Sequence, residues 1–480
     1  MVFNSLVFIG FFALLASLMA LTNLQKIKNL LGDKLQLLRH WMLLVASYVF
    51  YAWWDWRFAF LLLGLSAVVY FCGLGYAKSK KKWYSIIGVV VPLAVLGFFK
   101  YFNFFVESFA SLFGVQQAGT LNIILPLGIS FYTFQALSYT VDVARGKIQE
   151  EKSFARLAMY ISFFPQVVSG PVVKARDFLP QLNDDRNINL KNLEQGIQYF
   201  VFGLFKKIVI ADHVAVGVNA VFNAPENFHG VSILFAVIGY AIQIYFDFSG
   251  YSDMAIGCGK ALGYDLTRNF NMPYISKNVT EFWKRWHISL STWLMEYLYI
   301  PLGGNRKGVA RTYINLFLTM LIGGLWHGSA WNFVIWGALH GGALCVHKIW
   351  MKLRGHDKTY QGTKLGNMLS GICTFAFVCF CWIFFRAETF SQAFAVIKGI
   401  FTWKDGIRFF SSWTILALVL TSIFTGIAMI RSAKRKTSPE GFYPTVNLNT
   451  IWGLTILLVV IGLTVGLAYT GSSPFIYVQF

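Results

Sequence analysis

VFNSLVFIGFFALLASLMAL, residues 2–21, holds no charged side chain in twenty positions, and about 20 apolar residues are what an α-helix needs to cross the hydrocarbon core of a bilayer. The run lacks the basic start of a secretory leader and is too long for a leader's apolar segment, so it reads as a retained helix. Comparable runs recur at 58–76, 230–248, 367–385 and 451–470. With 56% hydrophobic and 13% charged residues over 480 positions, a water-soluble domain is excluded. The reading is an all-α polytopic membrane protein of roughly eleven to thirteen transmembrane or re-entrant helices.

The 41 basic residues outnumber the 21 acidic ones, a net charge of +20. They gather in short loops: Lys26, Lys28, Lys34 and Arg39; Lys78, Lys80, Lys81 and Lys82; Lys348, Lys352, Arg354, Lys358 and Lys364; Arg431, Lys434, Arg435 and Lys436. That pattern orients a membrane protein rather than binding nucleic acid, and the positive-inside rule puts all four clusters on the cytoplasmic face. One span separates the N-terminus from the first cluster, and the run 451–470 leads away from the last. Both termini, including GSSPFIYVQF at 471–480, are therefore expected outside. The six cysteines lie in apolar surroundings without metal-type spacing and read as reduced packing residues. Without an HExxH motif or paired cysteines, no metal site is expected.

From about 160 to 310, apolar pieces mix with Pro, Gly and charge in a way that plain spans do not. In ISFFPQVVSGPVVKARDF, Pro165, Gly170 and Pro171 interrupt a run too short to cross, so the segment is expected to dip in and return. In FWKRWHISLSTWLMEYLYIPLGGNRKG, residues 282–308, tryptophans beside Lys284 and Arg285 read as an interfacial segment.

Chemistry is carried by few residues. His327 lies in GGLWHGSAWNFVIWGALHG, residues 323–341, where no acid or base is near; an ionisable ring at membrane depth is a functional hypothesis by default. Gly323, Gly324 and Gly328 allow a helix or ligand close to the ring. His287, between Arg285 and two tryptophans, reads either as a second catalytic histidine or as an amphipathic anchor. On a continuous helix His340 lies about 220° around from His327, so the two rings are not expected to converge; His340 and His347 read as structural. In YFDFSGYSDMAIGCGKALG, residues 245–263, Asp247 and Asp253 need partners in an apolar helix. Arg268, Lys260 or the Lys284 and Arg285 pair can supply a structural ion pair; orienting a catalytic histidine is the alternative. The tail PFIYVQF, 474–480, reads either as an interfacial anchor or as a chain end that presents the Tyr477 hydroxyl as a nucleophile.

With these residues in view, the chain resembles the membrane-bound O-acyltransferase superfamily, in its bacterial branch that O-acetylates polysaccharides such as alginate and peptidoglycan. The likeness runs through MVFNSLVF, LPLGISFYTFQALSYTVDV, FFPQVVSGPVV, IYFDFSGYSDMAIG, EFWKRWHISLSTWL, YIPLGGNRKG, GLWHGSAWNFVIWGALHG and FIYVQF, in that order and over nearly the whole chain. It implies one membrane domain over 1–480, a ring of helices around a central tunnel, with 471–480 as an extracytoplasmic acyl-acceptor tail. His327 maps onto the family's essential histidine, and His287 onto a second position that is Asn or His across the superfamily. Tyr477 matches a tail tyrosine that accepts the acyl group. Trp326, Trp283, Arg285, Asp247, Ser249 and Asn332 are candidates for lining the tunnel, and Arg306 and Lys307, with Arg311, for attracting CoA phosphates.

The resemblance implies a multi-pass protein of the bacterial cytoplasmic membrane that takes acetyl from acetyl-CoA, a substrate rather than a bound cofactor. A neutral His327 removes the proton of an attacking hydroxyl, and Tyr477 relays acetyl to an extracytoplasmic SGNH-hydrolase-like transferase. Other readings are acyl transfer to a lipid or a protein, and, in a different class, a transporter, for which Asp247 and Asp253 with Lys206 and Lys207 would mark the path.

Overall fold

Thr22 ends the first apolar run as a straight rod. In the computed structural model, which describes residues 1–115, 119–184, 186, 188–355, 362–403, 405–435, 445–471 and 474–476, with the side chains of 431–435 excepted, helix Leu6–Leu21 bends by 72° into Gln25–Leu31. The Thr22 hydroxyl donates to the Met19 carbonyl and accepts from Arg39 Nε at 2.8 Å, while Arg39 Nη2 donates to Asn23 Oδ1 at 2.9 Å. The polar groups exposed by the break are thus paired inside the protein, as a non-aqueous medium demands.

Among the described residues every extended element is helical. Among the described residues six helices are long and apolar enough to cross a membrane: Trp56–Ser79, Lys82–Leu112, Gly230–Ala261, Val309–His327, Lys364–Arg386 and Ser412–Ile430, with the bent pair 6–31 as a seventh if it counts as one span. The chain is an all-helical, multi-pass membrane protein. Other apolar stretches form shorter helices. The run 451–470 forms only Ile451–Gly466, about 24 Å long at 1.5 Å per residue.

The chain divides into two compact units, Met1–Phe202 with Tyr251–Thr267, and Gly203–Gly250 with Arg268–Phe480. In the first, helix Ile129–Ala144 is buried at nearly every position among Trp56–Ser79, Lys82–Leu96 and Phe154–Ser162, as a helix without a polar face must be. Next to it the stretch 163–174 is buried throughout and folds back at Gly170, where a Cβ would lie 2.4 Å from the Pro165 carbonyl oxygen. Its irregular backbone is paired internally: Phe164 N–H donates to Ser47 Oγ, and Gln166 Nε2 donates to the Tyr160 carbonyl at 2.7 Å. Such backbone survives at membrane depth only where protein surrounds it.

In the second unit the segment expected at the interface turns inward. Trp283, Trp286 and Trp293 are buried, and only Lys284 of the basic residues among them is exposed. The tryptophans face an aromatic interior rather than a headgroup belt. The 323–341 stretch is not one helix either. Val309–His327 ends at the histidine, the chain breaks over Gly328–Ala330, and Trp331–Leu353 packs back against it. A Cβ at Gly324 would lie 2.3 Å from the Phe333 carbonyl oxygen and 2.9 Å from Gly337 Cα.

Gly324→Val is therefore expected to separate the pair and lower the thermal midpoint of the detergent-solubilised protein, an overpacking cost of about 1–3 kcal/mol. Gly342→Ala, whose Cβ meets nothing within 4 Å, should leave the midpoint unchanged. Equal midpoints for the two variants would refute the close-packing account.

Candidate active site

Where the helix breaks after His327, a Cβ on Gly328 would stand 2.1 Å from the Phe333 ring, so a glycine is what lets that ring close on the turn. The turn leaves His327 at a helix end, 4% exposed, among aromatic rings. Its centroid lies 5.0 Å from Trp326, 5.0 Å from Trp336, 5.4 Å from Phe385 and 6.3 Å from His287. The two candidate histidines are thus brought together although forty residues separate them in sequence.

His287 reaches this cluster through an unusual backbone. It precedes helix Ile288–Leu294 with φ 44° and ψ 55°, the left-handed region, where His, Asn and Asp are enriched among non-glycine residues. The side chain is fully buried and packs edge-on against Phe248 at 4.7 Å and against Trp326 at 6.2 Å. His287 lies outside the candidate spans, and burial pushes its imidazole down to about 3. At neutral pH the ring is uncharged, one nitrogen carrying a proton to donate and the other a lone pair.

His340 corrects the expectation that it would not converge with His327. Because the helix breaks at 328–330, the continuous-helix angle does not apply, and both rings pack on Trp336, at 5.0 and 4.8 Å. The indole N–H of Trp283 donates to His340 Nδ1 at 3.3 Å, which places the imidazole proton on Nε2. Trp283 thereby orients His340.

The remaining candidates divide by what they touch. Asn332, five residues after His327, donates from Nδ2 to the Ala387 carbonyl at 2.7 Å and ties the turn to the end of Lys364–Arg386. Arg285 is held by Glu281 Oε1 at 3.0 Å and the Asn271 carbonyl at 3.1 Å. Arg306 and Lys307 are exposed in the loop 301–308. The Ser249 hydroxyl is buried with no partner among the described residues. Asp253 belongs to the first unit.

Asp247 pairs with Lys207, named beside it for a transport path but not among the cations expected to supply a structural ion pair. Its Oδ1 accepts from Lys207 Nζ, which also reaches Asp212 Oδ1 at 2.7 Å, and all three side chains are buried. Its Oδ2 accepts the backbone N–H of Ile476 at 2.9 Å. The neighbouring Phe475 packs on Phe248 at 5.8 Å, the ring that also touches His287. Tyr477 lies outside the described residues; the chain immediately before it stands at the histidine cluster. Sequence reading passed over Lys207 as an anchor, and over Trp336, whose i, i+4 spacing with His340 was the available signal.

The chain belongs to the MBOAT, membrane-bound O-acyltransferase family, whose family model matches residues 50–390, a range that includes His287, His327 and His340 and ends before the tail. It is 43% identical over 378 residues to the probable alginate O-acetylase AlgI of Pseudomonas aeruginosa, covering 76% of this chain and 71% of that one. It is 39% identical over 403 residues to the peptidoglycan O-acetyltransferase of Helicobacter pylori, at 78% and 74% coverage. It is also 30% identical over 285 residues to the teichoic acid D-alanyltransferase of Bacillus subtilis, at 56% and 70%. The protein is a membrane O-acyltransferase.

His287→Asn should fold as the parent does, since Asn accepts left-handed backbone. His287→Val should lose about 1–2 kcal/mol, read as a lower unfolding midpoint in fluorescence-detected chromatography. If Val matches Asn, the left-handed backbone is not what restricts this position.

Proposed function

We propose that the protein transfers acetyl from cytoplasmic acetyl-CoA to the Tyr477 hydroxyl, from which an extracytoplasmic SGNH-hydrolase-like partner takes it to O-acetylate a cell-wall or secreted polysaccharide. The observation that carries this reading is the chain of rings from Phe475 through Phe248 to His287 and His327. It leaves Tyr477 two residues beyond a side chain already packed into the histidine cluster. The relatives named above act on alginate and peptidoglycan by their names, which supports a polysaccharide as the final acceptor.

A tyrosine hydroxyl, with a pKa of about 10, needs a base to attack at neutral pH. His327 is that base: its ring nitrogen takes the phenolic proton as the oxygen adds to the thioester carbonyl. His287, neutral and too weakly basic to share that task, donates its N–H to the oxygen that gains charge as the tetrahedral adduct forms. Collapse of the adduct breaks the carbon–sulfur bond, and the CoA sulfur leaves with the proton held on His327. A water-poor aromatic shell strengthens both interactions.

On this reading the protein lies in the bacterial cytoplasmic membrane with its basic loops inside, as the positive-inside rule favours, so that CoA enters from the cytoplasm and both chain termini are outside. Charged CoA does not cross the bilayer, so a tail that is acylated in the interior and read from outside solves the topological problem. Arg306 and Lys307, exposed beside the segment that carries His287, suit the CoA phosphates.

The test is radiolabelled acetyl-CoA with the full chain in detergent or nanodiscs, followed by mass analysis of the C-terminal peptide. The peptide should carry acetyl. His327→Ala should slow its acquisition by about 10²- to 10⁴-fold with undiminished folded protein, and Tyr477→Phe should abolish it. Normal polymer acetylation in cells that carry Tyr477→Phe would remove the relay, and substrate movement independent of acetyl-CoA would favour a transporter.

A further inference from the structure

A buried backbone N–H at the end of a chain needs an acceptor, and here that acceptor is a carboxylate 229 residues away. Ile476 donates to Asp247 Oδ2 at 2.9 Å, and both residues are buried. Asp247 is itself held through its other oxygen by Lys207, which is steadied in turn by Asp212. A second bond fixes the start of the same segment: Tyr469 N–H donates at 3.0 Å to the carbonyl of Ile208, next to Lys207 in the π-helical turn Phe205–Ala211. The Tyr469 ring also packs edge-on to His213, at 5.3 Å, and His213 stacks on Trp413. The segment that follows helix Ile451–Gly466 is therefore pinned at two points. One lies beside Lys207 and the other on the carboxylate Lys207 holds.

We infer that Asp247, clamped by Lys207 and Asp212, is a positioning residue whose carboxylate latches the C-terminal segment at Ile476 and so sets the reach of the residue that follows it to His327 and His287. The inference rests on the acyl-relay reading for its consequence, while the latch itself is independent of that chemistry. A polar anchor suits this place. The flanking Phe475–Phe248 contact is apolar and tolerates sliding, whereas a charge-assisted N–H···O bond is directional and fixes register along the chain. A carboxylate so deep needs a cation beside it, which accounts for Lys207 on an apolar helix. Asp212 gives that lysine a partner of its own.

The latch is tested by amide hydrogen exchange of the peptide spanning 468–480, in the full-length protein in nanodiscs. Two variants remove the bond from opposite sides. Asp247→Leu deletes the acceptor and leaves Lys207 its Asp212 partner; Ile476→Pro deletes the donor and leaves the ionic triad untouched. Both should speed exchange in this peptide by about tenfold or more, with other peptides unchanged. Both should also lower kcat for acetylation of the C-terminal peptide by a similar factor while KM for acetyl-CoA stays at the parent value. A merely structural role for Asp247 would instead spread faster exchange through the second unit, and Ile476→Pro would be silent; that result, or unchanged exchange in both variants, overturns the latch. Faster exchange in both with undiminished acyl transfer to the polymer upholds the latch and overturns the relay through the tail.

Discussion

Gly324 and Gly337 let two helix backbones meet with no side chain between them. Lipid tails are as apolar as leucine, so helices in a membrane gain nothing from hiding apolar surface against one another. They associate through close packing, which small residues permit. The three-residue turn after His327 joins the two helices directly, and the glycine contact sets their spacing. Once they are held in this way, His327 at the end of one and Trp336 and His340 along the other share one aromatic wall. A methyl group at either glycine displaces that wall, and the histidines with it.

The second constraint is the absence of water around polar groups. Each buried donor and acceptor must find its partner in the protein or bear a desolvation cost of about 1–3 kcal/mol. The solutions visible here are specific. Trp283 spends its only donor on His340, Asn332 spends an amide hydrogen on the carbonyl of Ala387, and Lys207 satisfies two carboxylates, one of which holds the chain end. The same requirement leaves the neutral imidazole of His287 wedged between Phe248 and Trp326, where a charge could not be accommodated.

Much of this was legible in the order of residues. Long uncharged runs mark a membrane protein because the bilayer imposes a length and excludes charge. His327 stands out because nothing near it in sequence can compensate its charge. The irregular stretch around Pro165 and Gly170 also read correctly as non-spanning, since proline and glycine act locally. Non-local pairings were not legible. Asp247 was offered to Arg268, Lys260, Lys284 and Arg285 when its partner is Lys207, because several cations lay at plausible separations and sequence carries no distance between helices. The tryptophans of 283–293 were assigned to the interface, since composition cannot distinguish a ring that faces headgroups from one that faces a protein interior.

His340 shows where the boundary falls. Its angle to His327 follows from helical periodicity and is valid for one unbroken helix; the break over Gly328–Ala330 cancels it. The order of residues was enough to fix the solvent, the helical class and the identity of the residue least at home in its surroundings, because each follows from local chemistry or from composition. Which rings surround that residue, that His287 and His340 join it, and that the Asp247 carboxylate of helix Gly230–Ala261 receives the N–H of Ile476 came from the folded chain alone. Those facts depend on the packing of elements far apart in sequence, through contacts that no single segment contains.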